Sequence, residues 1–167
     1  MARREIFAGN WKMYKTSAEA GKLVKELVAG MVKKPGREYV IFPPFPYIKD
    51  VSAECSGTPL RTGAQNLYHE TQGAFTGEVS PVMVKDCGCT FALIGHSERR
   101  HIFHETDSAI NKKVRAALDA GLEPMVCVGE LLEEREKGET AAVLERQIRE
   151  GLAGFSAQDF AKITIAY

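Results

Sequence analysis

The chain has 167 residues, with 22 Lys plus Arg against 22 Asp plus Glu, 44% hydrophobic residues and 26% charged residues. This is the profile of an ordinary globular protein with room for one domain over residues 1–167. Balanced charge leaves no basic stripe to neutralise phosphates, so no nucleic-acid partner is expected. No apolar run approaches the ~20 residues that cross a bilayer, so no membrane partner is expected either.

In chain order, the N-terminal "MARREIFAGNW" is too short in its apolar part for a secretory signal, and the expected compartment is the cytoplasm. A first apolar run, Ile6–Gly9, ends at Asn10, Trp11 and Lys12. Ser17 can cap a helix that turns Leu23, Leu27 and Met31 toward a core. A second run, Tyr39–Phe42, ends at Pro43, Pro44 and Phe45; a third, Leu60–Ala64, ends at Gln65 and Asn66. Ser80-Pro81 reads as N-cap and first helical residue of a short helix through Cys87. A fourth run, Phe91–Ile94, ends at Gly95 and is followed by His96, Ser97 and Glu98. Thr106 or Asp107 can cap a helix that carries Ile110, Val114 and Leu118 and stops at Gly121. Pro124–Val128 is a fifth run, ending at Gly129 and Glu130. Two helical segments, Leu131–Lys137 and Thr140–Leu152, break near Gly138 before a last run, Ile163–Tyr167.

Short apolar runs alternating with helical periods predict an α/β fold with a parallel sheet and helices packed outside it. Periodicity leaves two architectures open, an open doubly wound sheet and a closed (β/α) barrel. In both, chemistry gathers beyond the C-terminal ends of the strands. Of the residues found there, Lys12 offers a fixed positive charge to an anionic substrate. His96 stands where a helix can begin, and a helix N-terminus disfavours imidazolium. A neutral ring can donate a hydrogen bond to a developing oxyanion and shuttle a proton. Each of these residues also has a plain alternative as a turn residue, a cap or a solvated charge. A metal reading would use His96, His101 and His104, spaced x4 and x2. Cys87-Gly88-Cys89 lacks a second matching pair, and the four cysteines (Cys55, Cys87, Cys89 and Cys127) are expected as free thiols.

"AGNWKMYKT" after the first run and "ALIGHSERR" around the fourth closely resemble triosephosphate isomerase; so do "GAQNLYHETQGAFTGEVSP" and "VCVGE". The matches run in order from about residue 5 to the last. The resemblance implies an eight-stranded (β/α) barrel, the TIM barrel, represented here by six parallel strands with outer helices. It implies interconversion of dihydroxyacetone phosphate and glyceraldehyde 3-phosphate, a step of glycolysis and gluconeogenesis, with no cofactor and no metal. By the same resemblance Asn10 and Lys12 contact the substrate, Lys12 answering its phosphate and developing negative charge; His96 polarises its carbonyl and relays a proton; and Glu98, the third of the catalytic group, holds Lys12 or adjusts the site from behind it. The neutral histidine electrophile is an established feature of that family. Residues Tyr68 to Ser80, with Phe75, Thr76 and Glu78, and Gln65 before them, would meet a second copy in a homodimer, placing Thr76 near the partner copy's Asn10. Tyr14 departs from the smaller polar residue expected at its position.

The family's catalytic base is a glutamate in "AYEPVW", directly after the sixth strand. This chain ends "ITIAY" at Tyr167, so the 167 residues alone are expected to be inactive, a cut, partly recorded or split version of a full isomerase. Other classes remain open. One is a non-catalytic fragment or assembly module that associates through residues 68–80 and exposed barrel edges. Another is a metal-dependent lyase using the three histidines.

Overall fold

A computed structural model describes residues 5–167. Six strands, β1 (Glu5–Asn10), β2 (Arg37–Phe42), β3 (Leu60–Ala64), β4 (Phe91–Ile94), β5 (Glu123–Cys127) and β6 (Thr164–Ala166), lie in the order β1-β2-β3-β4-β5-β6. All neighbours are parallel, with Ala8 opposite Val40 and Ile94 opposite Val126. A doubly wound sheet reverses its strand order at a switch point. Here the order never reverses, which is the wall of a (β/α) barrel and answers the question that periodicity leaves open.

The helices are α1 (Ser17–Gly30), α2 (Ile48–Cys55), α3 (Pro81–Asp86), α4 (Ser97–His101), α5 (Asp107–Asp119), α6 (Leu132–Glu136), α7 (Thr140–Gly151) and α8 (Ala157–Phe160). Thr16, not Ser17, precedes α1; its backbone N–H and hydroxyl donate to Glu19 at 2.7 and 2.9 Å. The residues α1 buries fully are Ala20 and Val24, with Leu27, Val28 and Met31 packed on the same cluster. Leu27 and Met31 thus face the core as expected, and Val24 takes the place expected of Leu23. Ser80 caps α3 by accepting from Met83 N–H, and Thr106 caps α5 by accepting from Ala109 N–H. Gly121, with φ +71°, ends α5 in the left-handed conformation that glycine adopts without strain.

Strand side chains alternate between two layers. Outward residues Ala64, Ala92, Ile94 and Val126 pack with Ile110, Val114 and Ala117 of α5. Inward residues Val40, Phe42, Phe91, Leu93 and Met125 fill the concave side. At the N-terminal end of the strands Arg61 pairs with Glu123 at 2.8 Å and Glu38 at 3.5 Å, and its guanidinium lies 4.6 Å from the Phe91 ring centre.

Gly63 faces inward where no side chain fits. A β-carbon there would lie 2.4 Å from Phe42 Cε1 and 2.8 Å from Phe91 Cβ. Both aromatic residues are wholly buried, so neither ring can swing away. Gly63→Ala in the complete protein is expected to cost ~1–3 kcal/mol, the usual penalty for overpacking a filled core. Urea unfolding measures it; an unchanged midpoint would mean that the concave wall yields.

Candidate functional site

The C-terminal ends of β1, β2, β3 and β4 open into one pocket of about 310 Å³. Asn10, Lys12, Phe45, Gln65, Asn66, His96, Glu98, Arg99 and Phe103 are among its lining residues. Four residues singled out from the sequence, Asn10, Lys12, His96 and Glu98, thus meet in one place.

Lys12 is held by its backbone. It sits at φ +53°, a conformation uncommon outside glycine and suggestive of a constrained position. Asn10 Oδ1 accepts from the Lys12 N–H at 2.9 Å, and Gln65 Nε2 donates to the Lys12 carbonyl and to the Phe42 carbonyl, each at 2.8 Å. Gln65 therefore ties the β1 and β2 ends to β3. The ammonium of Lys12 stands free of that lattice and pairs with Glu98 Oε1 at 3.0 Å.

His96 is the N-cap of α4. Its Nδ1 accepts from the Glu98 N–H at 3.3 Å, the service a capping side chain gives to an orphan helix donor. Burial lowers the ring's affinity for a proton below the usual histidine range; Glu98 pulls the other way and Lys12 reinforces the lowering. A neutral ring with Nδ1 accepting carries its proton on Nε2. Glu98 Oε2 also lies 3.3 Å from Nδ1; beside an unprotonated nitrogen that approach is not an ion pair.

Behind this wall runs a buried charged chain. Lys113 Nζ donates to Asn66 Oδ1 at 2.8 Å and to Glu105, and Arg99 Nε donates to Glu105 at 2.7 Å. Burial alone would raise the Glu105 pKa, but hydrogen bonds from Lys113 and Arg99 outweigh it and hold the carboxylate below its ordinary range. Two pocket residues, Asn66 and Arg99, are thereby fixed from one interior carboxylate. Lys113 belongs to no motif, and the one signal for it in the sequence is a lysine on the apolar face of α5, between Ile110 and Val114.

Other expected residues lie elsewhere. Phe75, Thr76 and Glu78 sit on an exposed loop outside the pocket lining. That loop is closed by the Tyr68 N–H donating to the Val79 carbonyl at 2.8 Å and by the Tyr68 and Phe75 rings, 4.8 Å apart. His101 and His104 are exposed. Among the described residues no three His, Cys, Asp or Glu side chains group as metal ligands, so the three-histidine metal reading does not hold. The four cysteines are free thiols, and burial pushes Cys89 up to about 12 and Cys127 up to about 11. No helix among the described residues is long and apolar enough to cross a membrane.

A parallel barrel wall with a cationic, histidine-bearing pocket beyond its strand ends defines the chain as a (β/α)-barrel protein of the kind that places its chemistry at that face. The family model described as triosephosphate isomerase matches residues 5–167, and the chain belongs to that family. It is 52% identical over 165 residues to triosephosphate isomerase from Caldanaerobacter subterraneus subsp. tengcongensis. It is 50% identical to that from Syntrophotalea carbinolica and 49% identical to that from Carboxydothermus hydrogenoformans. Each match covers 99% of this chain and 66% of the relative, so the chain spans a little under two thirds of the length of these relatives.

Proposed function

We propose that the complete protein interconverts dihydroxyacetone phosphate and glyceraldehyde 3-phosphate, and that residues 1–167 form one folded unit supplying five β-α units and the sixth strand of its barrel. The observation that carries this reading is the meeting, in one pocket, of the Lys12 ammonium with His96, whose Nδ1 accepts from the Glu98 N–H and whose affinity for a proton burial lowers. Lys12 offers charge to the anionic substrate and, with Asn10 shaping its turn, fixes where the substrate lies. His96 Nε2–H donates to the carbonyl oxygen on which negative charge develops, and can pass that proton between neighbouring oxygens. A neutral donor suits this task because its acidity lies closer to that of an enediol than an imidazolium's does. Glu98 holds the lysine in reach. The reaction moves a proton and an electron pair within one molecule, so it needs no external oxidant.

It does need a base at carbon. Among the described residues Glu98 is the one carboxylate lining the pocket, and it is engaged by Lys12. The family likeness puts the base directly after the sixth strand. A polypeptide of residues 1–167 alone is therefore proposed to be inactive. Part of the second reading, association through residues 68–80, finds support in the exposure of residues 70–78, and we place a homodimer contact there. Four free thiols suit a cytoplasmic setting.

A coupled assay tests both halves. The complete protein should turn over triose phosphates, and the 1–167 polypeptide should lose at least the ~10²–10⁴ that a positioned base supplies. Absence of turnover in the complete protein would remove the functional reading. Near-normal turnover by residues 1–167 would remove the assignment of the base.

A further inference from the structure

The two adjacent arginines of "SERRH" have different fates. Arg99 reaches the pocket wall. The Arg100 side chain turns inward and is only 7% exposed. All three of its guanidinium nitrogens have partners: Nε donates to the Gly95 carbonyl at 2.8 Å, Nη1 to Asp107 Oδ1 at 2.6 Å and Nη2 to the Cys127 carbonyl at 3.0 Å.

The two carbonyls explain why a fork is needed. The β4–β5 ladder pairs residues only as far as Ile94 with Val126. Gly95 then turns to φ +72°, which takes its peptide out of the ladder so that His96 can start α4. A β-carbon on Gly95 would meet Ile110 Cδ1 at 2.9 Å and Arg100 Nη2 at 3.1 Å, so the turn and the guanidinium are built around each other. Where the β4–β5 ladder stops stand the carbonyls of Gly95 and of Cys127, a residue still in register with Ala166 of β6. One planar guanidinium serves both, and Asp107 at the start of α5 orients it from the far side. Lysine, a single point of charge, cannot serve three directions in one plane.

The residue next to Gly95 is His96. Its carbonyl accepts from Arg99 N–H at 2.8 Å and Arg100 N–H at 3.1 Å, so the histidine is gripped on the α4 side by backbone and on the β4 side through Gly95. We propose that Arg100 is a positioning residue for the proposed isomerisation: by clamping the Gly95 and Cys127 carbonyls it sets the orientation and tautomer of His96. This rests on the functional reading above.

The test uses the complete protein with Arg100→Lys, and with Asp107→Asn as a milder variant that keeps the guanidinium but loosens its orientation. Two readouts are taken well below each variant's unfolding temperature: kcat and KM for triose phosphates, and the imidazole ¹⁵N signals of His96 in the ligand-free protein. The clamp predicts that Arg100→Lys lowers kcat ~10–100-fold, as small misplacements of a reacting group do, while KM changes little. It predicts that the ring signals move from a single Nε2–H tautomer toward a mixture, with Asp107→Asn showing a smaller shift of the same kind. A lowered unfolding temperature with unchanged kcat and unchanged ring signals would show Arg100 to be a structural staple only, and would overturn the proposal. If Arg100→Lys does not fold, Asp107→Asn alone decides, since an unmoved His96 spectrum there overturns it equally. Failure of the functional reading is separately visible, because the unaltered protein would then lack turnover while the tautomer measurement still reports on the clamp.

Discussion

His96→Gln in the complete protein is expected to lower kcat by ~10²–10⁴, the range for losing a positioned acid–base group, with KM for triose phosphates nearly unchanged. The ring's proposed work is done when charge develops on the substrate oxygen, so its loss should appear in the transition state rather than in ground-state binding. The fold should tolerate the change, because the glutamine amide oxygen can still accept from the first turn of α4 in place of Nδ1. The pH dependence follows from the same environment. Burial holds the folded-state pKa below the ordinary 6.5, with Glu98 opposing and Lys12 assisting. The unfolded chain therefore protonates first as the pH drops. Stability from this group is intact above about 6.5 and is lost as pH falls from there through the lower folded-state value. An NMR titration should find His96 neutral at pH 7. Imidazolium at that pH, or a glutamine variant with a raised KM and unchanged kcat, would contradict the assigned role.

How far the residues announce this structure depends on the range of the forces involved. β3 and β4 lie at Leu60–Ala64 and Phe91–Ile94, as their runs indicate, with Pro59 before the one and Gly95 after the other breaking the extended pattern. α2 has no signature in the residue pattern. It is eight residues long, follows Pro43-Pro44-Phe45-Pro46, has no capping side chain and buries only Ile48, Val51 and Cys55. Two turns give too few repeats for a period to stand out, and α8, with four residues, gives fewer. The choice between an open sheet and a barrel turns on strand order, which is set by contacts between distant segments. The pocket divides in the same way. Lys12, His96 and Glu98 are visible because they follow strand ends. Lys113 is not, because a lysine in a helix ordinarily looks outward, and nothing in the letters shows that the Glu105 carboxylate and, 47 residues away, Asn66 hold it inside. Arg99 and Arg100 are indistinguishable in the string of letters; only the turn at Gly95 decides which of them goes inside.

Lys12→Met should separate the two functions packed into one short segment. The backbone turn at residue 12 is held by Asn10 and Gln65 through main-chain atoms, so the substitution leaves it in place. The ion pair with Glu98 joins side chains that are 49% and 40% exposed, and pairs of that kind contribute ~0–1 kcal/mol. Stability should therefore change little. Binding should not escape so lightly. A hydrogen bond to a charged partner contributes about 1.5–3 kcal/mol, and the variant also leaves Glu98 unneutralised in a pocket proposed to take an anion. Both effects act on affinity for a phosphorylated substrate, and kcat/KM is expected to fall ~10²-fold or more. The double variant Lys12→Met with Glu98→Gln distinguishes them, because removing the carboxylate removes the repulsion without restoring the cation. It should recover part of the affinity and no more. Steady-state kinetics and urea unfolding on the two variants provide the measurement. If Lys12→Met binds triose phosphates as well as the unaltered protein does, the lysine is a solvated charge and the phosphate is held from another part of the protein.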